Sequence, residues 1–242
     1  MLAEEKRIYT YQEYLEISKN DRCEYINGEI HMMGSPSTMH QDVVLNIAFE
    51  FKKYFTGKKC KPYVAPLDVT FIDEKNNKSV VQPDLFVACD TENIKNNQYE
   101  GIPTLIVEVV SPSNSSHDYI TKLDLYAKAG IEEYWIINPM NKNAICYSFK
   151  NNMPYKVDGY HHSETIQSEV FDGLSISMKE LFDWTLPPRD MQGGRFFFIR
   201  KFTLSFDLIN MDRHFVPIHF FITLTLTCHL PCGGTVLKES NW

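Results

Sequence analysis

No stretch of 18 apolar residues occurs in the 242-residue chain, so no membrane-spanning helix is expected. The N-terminus, MLAEEKRIYT, is charged and has no apolar h-region, which argues against a secretory signal. Glycine-rich phosphate cradles are missing too. Without a G-x-G-x-x-G, a Walker loop or a G-x-S-x-G elbow, dinucleotide binding, P-loop chemistry and α/β-hydrolase chemistry find no support. No C-x-x-C pair and no His/Cys set at zinc spacing appears, and His161-His162, in a late polar loop, is not read as a zinc site. Of the six cysteines, Cys23, Cys60, Cys89 and Cys146 lie in or beside apolar runs, as buried free thiols do, and a reducing, cytoplasmic setting is expected. Positive charge is also short, with 24 Lys+Arg against 31 Asp+Glu and a net charge of −7. That balance disfavours broad binding to polyanions through a basic surface. It leaves room for a local site in which a divalent metal supplies the positive charge.

What is present is an ordinary globular composition, 43% hydrophobic and 23% charged, long enough to bury a core without staples. Thr10-Tyr-Gln-Glu13 reads as a capping box opening a short helix through about Ile17. Asn27-Gly28, between two alternating runs in CEYINGEIHMM, is a hairpin signal, because a type I′ turn needs positive φ at both central residues. Residues 39–56 place Val43, Val44, Ile47, Phe51 and Phe55 at helical spacing, with Gly57 as a stop. The run 63–72 alternates in its second half. Val80–Cys89 and Thr104–Val110 read as two apolar strands, and a helix over about 117–129, capped by Ser115 or Ser116 and stopped by Gly130, follows. EYWIINP (133–139) and AICYSFK (144–150) are further strands. Strands, a helix, then strands again predict an α/β or α+β sheet domain with an N-terminal helix and hairpin and a parallel crossover through helix 117–129.

Beyond Pro187-Pro188 the composition shifts: residues 187–242 hold none of the 13 tyrosines but half of the 16 phenylalanines. The boundary is therefore set at 1–186 for the main domain and 187–242 for an atypical Phe-rich extension. Two readings of the extension stay open, a disordered or non-native tail and two extra strands packed on the domain.

Three residues stand out for chemistry. Glu108, in TLIVEVVS, is a carboxylate inside an apolar, β-branched strand, which is costly to bury unless paired or bound to metal. Alternation puts it on one face with Ile106 and Val110. The ordinary alternative is a Glu on a solvated face. Asp84 follows Pro83 at the head of the preceding apolar strand, where a turn-forming Asp is the ordinary alternative. Two carboxylates on successive strands can share a Mg²⁺ or Mn²⁺. Lys122 lies in the following helix, four residues after Asp118, with Tyr126 on the same face. It is either a plain i,i+4 ion pair or a cation beside the carboxylates, where it would orient a water and stabilise charge on phosphate. Glu24, from the hairpin, and His40, at the start of helix 39–56, are candidates for a third acid and a substrate contact. Each is as readily an exposed polar residue.

The order CEYINGEI, SPSTMHQDVV, VQPDLFVA, VEVVSPS and DYITKLDLYAKAGIEEYWIINP resembles the Uma2 family, within the PD-(D/E)XK nuclease superfamily, over roughly residues 8–185. The family's acidic motif falls on Pro83-Asp84 and on Glu108. Where the basic superfamily pattern has Lys two residues after the Glu, this chain has Val110, and the Uma2 pattern takes its Lys from the next helix, at Lys122. Glu24 and His40 match further polar positions. The resemblance implies a restriction-endonuclease-like α/β fold, a mixed sheet with flanking helices, and metal-dependent hydrolysis of nucleic-acid phosphodiesters, DNA ahead of RNA. Asp84, Glu108 and the backbone carbonyl of Val109 would hold Mg²⁺ or Mn²⁺, and Lys122 would position the water. Nucleases that cut both strands often pair, so a homodimer is kept open. The rival expectation is a non-catalytic nucleic-acid or protein interaction module on the same fold. The two would differ in whether Lys122 points toward Asp84 and Glu108 or away from them.

Overall fold

The structure, a computed structural model, describes residues 7–96, 98–111 and 117–183, together with 226–229 and 235–238. It divides into two compact units, Met1–Leu186 and Pro187–Trp242. In the second, Leu226–His229 and Thr235–Lys238 pair as an antiparallel hairpin. The two readings of the extension otherwise fall outside the described residues, as does the expected cap at Ser115 or Ser116. No helix among the described residues is long and apolar enough to cross a membrane.

The first unit opens as its sequence dictates. Helix α1 (Tyr11–Ile17) starts from a reciprocal capping box, the Glu13 N–H donating to Thr10 Oγ1 at 3.2 Å and the Thr10 N–H to Glu13 Oε2 at 2.8 Å. Strands β1 (Cys23–Ile26) and β2 (Glu29–Met32) meet at Asn27 and Gly28, with φ of 51° and 86°. A Cβ on Gly28 would lie 2.7 Å from Ile8 Cγ2, so this position needs glycine for space as well as for conformation. Helix α2 (Thr38–Phe55) is capped by the Ser37 hydroxyl and buries His40, Val43, Ile47, Phe51 and Phe55 along one stripe.

The next two apolar runs depart from expectation. The run around 63–72 splits into β3 (Lys61–Val64) and β4 (Asp68–Ile72), and the Val80–Cys89 strand splits into β5 (Lys78–Val81) and β6 (Leu85–Ala88). β4 pairs with β5 in one sheet and β3 with β6 in another. The two runs thus make one antiparallel ribbon that passes from the first sheet to the second. Both crossings hold a proline, Pro66 (cis to Ala65) and Pro83, residues that cannot donate to a ladder. Instead of one mixed sheet there are two, each with six strands.

Strands β7 (Ile94–Lys95) and β8 (Gln98–Glu100) complete the first sheet, in the order β2-β1-β5-β4-β8-β7. The second sheet adds β9 (Leu105–Val109), β10 (Glu133–Asn138), β11 (Asn143–Lys150) and β12 (Met153–His161), in the order β12-β11-β10-β9-β6-β3. β9 and β10 are parallel, and the expected crossover joins them. It begins as a π-helical segment, His117–Lys122, and continues as α3 (Leu123–Ala129), which Gly130 ends at φ 90°. A two-stranded sheet, Thr165–Gln167 with Ser175–Ser177, and helix α4 (Met178–Phe182) close the unit.

Side-chain alternation on the second sheet builds two cores. Leu85, Val87, Leu105, Val107, Val109 and Trp135 pack against α2 and α4. From the opposite face Phe86, Ile106, Val110, Tyr134 and Ile136 meet α3 and the first sheet's Ile26, Val69, Phe71 and Val81. α1 covers the outer face of the first sheet through Tyr14, Tyr25 and Val80.

The cysteines need a correction. Cys23 and Cys146 are buried free thiols, but Cys60 and Cys89 form a disulfide. They flank Lys61 and Ala88, which are partners across β3 and β6, so the strand register brings the two sulfurs together. Their 29-residue separation gives no hint of this.

Candidate active site

The site lies where the ribbon changes sheets. Asp84 follows Pro83 at the crossing and precedes β6, its backbone carbonyl accepting from the Ala65 N–H at 3.2 Å. One carboxylate oxygen, Oδ2, accepts from the Val109 N–H at 2.8 Å and faces His40 Nε2 at 3.1 Å. Glu108 sits beside it on β9, on the face shared with Ile106 and Val110, and is 3% exposed. Lys122, last residue of the π-helical segment, reaches back across the intersheet space to place Nζ 2.9 Å from Glu108 Oε1 and 2.9 Å from Glu24 Oε1. Asp118 Oδ1 is 3.7 Å from the same nitrogen. Tyr126, one turn into α3, donates its hydroxyl to Glu108 Oε1 at 2.8 Å.

Glu24 is tied down from three directions. Besides Lys122, it accepts from the Gln82 N–H at 2.9 Å and lies 3.1 Å from His117 Nε2, whose ring packs on His31 with centroids 4.2 Å apart. His40 is held at the N-terminus of α2, and its Nδ1 is buried with no hydrogen-bond partner among the described residues.

Asp84, Glu108, Val109, Asp118, Lys122 and His40 line one cleft of about 270 Å³. A larger cleft of about 680 Å³, between the first sheet and α3, is lined by residues such as Phe71, Ser79, Leu125 and Lys128 and by none of the predicted site residues. The chemistry-bearing groups are gathered in the smaller one.

Charge in this cluster is unbalanced. Three carboxylates, from Glu24, Glu108 and Asp118, lie within 4 Å of one ammonium, and a fourth, from Asp84, lines the same cleft. Burial pushes Glu108 well above the usual carboxylate range. Lys122 opposes the shift, while Asp84, Asp118 and Glu24 add to it. Asp118 is raised to about 6, by burial first, with Lys122 pulling it down and Glu24 and Asp84 pushing it up. Glu24 goes the other way: burial raises it, but Lys122, His117 and the Gln82 N–H outweigh burial and hold it at about 2. Lys122 is raised well above its ordinary value, since Glu108, Glu24 and Asp118 overcome its desolvation. Burial disfavours charge on His40, yet its hydrogen bond and proximity to Asp84, with the Asp118 charge and the Val109 backbone, raise it on balance.

All five predicted side chains and Val109 therefore meet. The i,i+4 spacing of Asp118 and Lys122, equally compatible with a solvated ion pair, here places both in a buried cluster. Asp118, His117 and Gln82 are the members the sequence did not single out as site residues. Asp118 had a signal in its spacing to Lys122, whereas His117 and Gln82 are brought in only by the tertiary fold.

The sequence matches the family Uma2, described as "Putative restriction endonuclease", over residues 10–179. The chain belongs to the Uma2 family. An uncharacterized protein of Synechocystis (slr1290, strain ATCC 27184 / PCC 6803 / Kazusa) is 25% identical over 174 residues, covering 71% of this chain and 90% of that one. Among solved structures, a "putative nuclease belonging to DUF820" from Anabaena variabilis superposes with a TM-score of 0.61 at 19% identity, over 72% of this chain and 98% of the other. The Uma2 fold is thus shared with that crystal structure. The Uma2 match ends at residue 179, before the Phe-rich segment begins.

Proposed function

We propose that the cleft is the active site of a metal-dependent endonuclease that hydrolyses nucleic-acid phosphodiesters. The observation that carries this reading is the convergence of Asp84, Glu108 and Lys122, from three different elements, in one cleft. Lys122 points toward the acids, as expected of an enzyme and not of a bare interaction module.

The donor set fits a hard divalent cation. Asp84 and Glu108 offer carboxylate oxygens, and the backbone of Val109 lines the same cleft. The acidic surplus, which adds to the effect of burial in raising Glu108, is a charge deficit that Mg²⁺ or Mn²⁺ would fill. Among the described residues no three His, Cys, Asp or Glu side chains already form a ligand cage. An open site of two carboxylates and a carbonyl suits Mg²⁺, which keeps several waters. Asp84, Glu108 and the Val109 carbonyl would hold it, and when bound it would polarise the scissile phosphate and acidify a water.

The protein's own groups do the rest. Lys122, fixed between Glu24 and Glu108, donates a hydrogen bond to the attacking water and stabilises charge on the phosphate oxygens. Tyr126 holds the Glu108 carboxylate in orientation, and Asp84 does the same for the His40 ring, which faces the substrate. The water oxygen bonds to phosphorus and releases a proton to solvent, one P–O ester bond breaks, and the departing alkoxide takes up a proton from solvent, so that one water is consumed per bond cut. DNA is the first substrate to try, since the family description is of a restriction endonuclease.

The test is cleavage of single- and double-stranded DNA and RNA with and without Mg²⁺, using Glu108→Gln from metal-matched preparations as control. Mg²⁺-dependent cleavage by the wild type that is lost in the variant is the expected result. Equal cleavage by both would refute the assignment.

A further inference from the structure

We infer that Arg22 binds a substrate phosphate at the mouth of the cleft, beside the phosphodiester to be cut. The inference rests on the nuclease reading and assigns the residue that brings a polyanion to an acidic site.

The cleft has a problem of its own making. The protein carries a net charge of −7, and the site concentrates Asp84, Glu108 and Asp118 on its lining, with Glu24 behind them. A phosphate chain approaching such a surface is repelled unless cations meet it. The lining holds only two Lys or Arg side chains among the described residues, Lys122 and Arg22. Lys122 is 4% exposed and shared by three carboxylates, so it can act on a phosphate already seated in the cleft but does not meet a polyanion at the mouth.

Arg22 is in the opposite situation. It is exposed, it precedes β1, and its carbonyl accepts from the Met33 N–H at 2.9 Å, which anchors its backbone to the hairpin. Its guanidinium donates through Nη2 to Gln82 Oε1 at 3.1 Å. That acceptor is neutral, so it orients the group without cancelling its charge. Gln82 is itself fixed, its side-chain amide donating to Asp68 Oδ1 at 2.7 Å and its N–H to Glu24. Residue 82 thus links the acidic cluster to the arginine, two residues before Asp84. A planar fork on a braced support, at the rim of a cleft that processes phosphodiesters, matches bidentate recognition of a phosphate.

The experiment measures binding of a short fluorescein-labelled DNA duplex, and of its single strand and RNA counterparts, to the full chain with Ca²⁺ in place of Mg²⁺. Salt is varied from about 50 to about 200 mM. Arg22→Ala is expected to raise Kd about tenfold or more, as for a lost hydrogen bond to a charged group. It should also reduce the slope of log Kd against log salt by roughly 0.9 on duplex, or about 0.7 on single strands, the value for one phosphate contact. Arg22→Lys should keep most of the slope and lose part of the affinity, because the charge stays and the fork goes. An Arg22→Ala protein with wild-type melting temperature, Kd and slope would overturn the assignment. Cleavage of the same nucleic acids in Mg²⁺ separates the two readings. Binding that depends on Arg22 without any cleavage would uphold the phosphate site and remove the nuclease. Cleavage that is indifferent to Arg22 would do the reverse. If the wild type neither binds nor cleaves any of the four nucleic acids, both fall.

Discussion

Glu108 and Glu133 are both buried carboxylates on neighbouring parallel strands of one sheet, and burial raises both. They are solved differently. Glu133 accepts from Trp135 Nε1 at 2.7 Å, from the Ser168 hydroxyl at 2.6 Å and from the N–H groups of Glu169 and Val170. These neutral, fixed donors satisfy it completely and pin the 168–170 segment to β10. Glu108 instead shares an ammonium with Glu24 and Asp118 and lines a cleft. A buried acid is therefore not a site by itself. Like charges competing for one counterion beside an opening make the difference.

The largest effect should separate the two acids in function. Glu108→Gln is expected to reduce Mg²⁺-dependent cleavage by roughly 100-fold or more, while Glu133→Gln cleaves like the wild type. Equal losses in a cleavage assay would erase the contrast. In urea unfolding, Lys122→Met is expected to cost on the order of 3–5 kcal/mol, because it strands several buried carboxylates. Glu133→Ala should cost about 3 kcal/mol, by leaving its donors unpaired, with cleavage retained.

Two pH-dependent tests sharpen the picture of the shared ammonium. Glu24, held at about 2 against an ordinary 4.5, contributes stability that is present above pH 4.5 and lost as pH falls toward 2. Glu24→Gln should therefore cost on the order of 3 kcal/mol at pH 7, shrinking in acid. Asp118, raised to about 6, favours the folded state most when protonated, below its ordinary 3.8, and loses that advantage as pH rises through 6. Asp118→Asn should thus stabilise by roughly 1–3 kcal/mol at pH 8 and by nothing at pH 4, as read from melting curves. A flat profile would show that Asp118 is not crowded by its neighbours.

Much of this was legible in the chain. Local chemistry gave the capping box at Thr10, the Asn27-Gly28 turn, the buried stripe of α2, the crossover and the face of Glu108, because each depends on near neighbours. The change of sheet within 61–72 and 78–88 was not, since periodicity records which way a side chain points and not which sheet its strand joins. Pro66 and Pro83 were the available signal. The π-helical start of the crossover and the Cys60–Cys89 pairing depend on tertiary context. So does Glu133, which stands first in its strand and gives no sign of the loop that satisfies it.

The most direct measurement is calorimetric titration of Mn²⁺ into the wild type, Asp84→Asn, Glu108→Gln and Glu133→Gln. One cation per chain for the wild type and Glu133→Gln, with binding lost in the other two, is the expected result. Unchanged Mn²⁺ binding in Asp84→Asn and Glu108→Gln would contradict a cation seat between these acids.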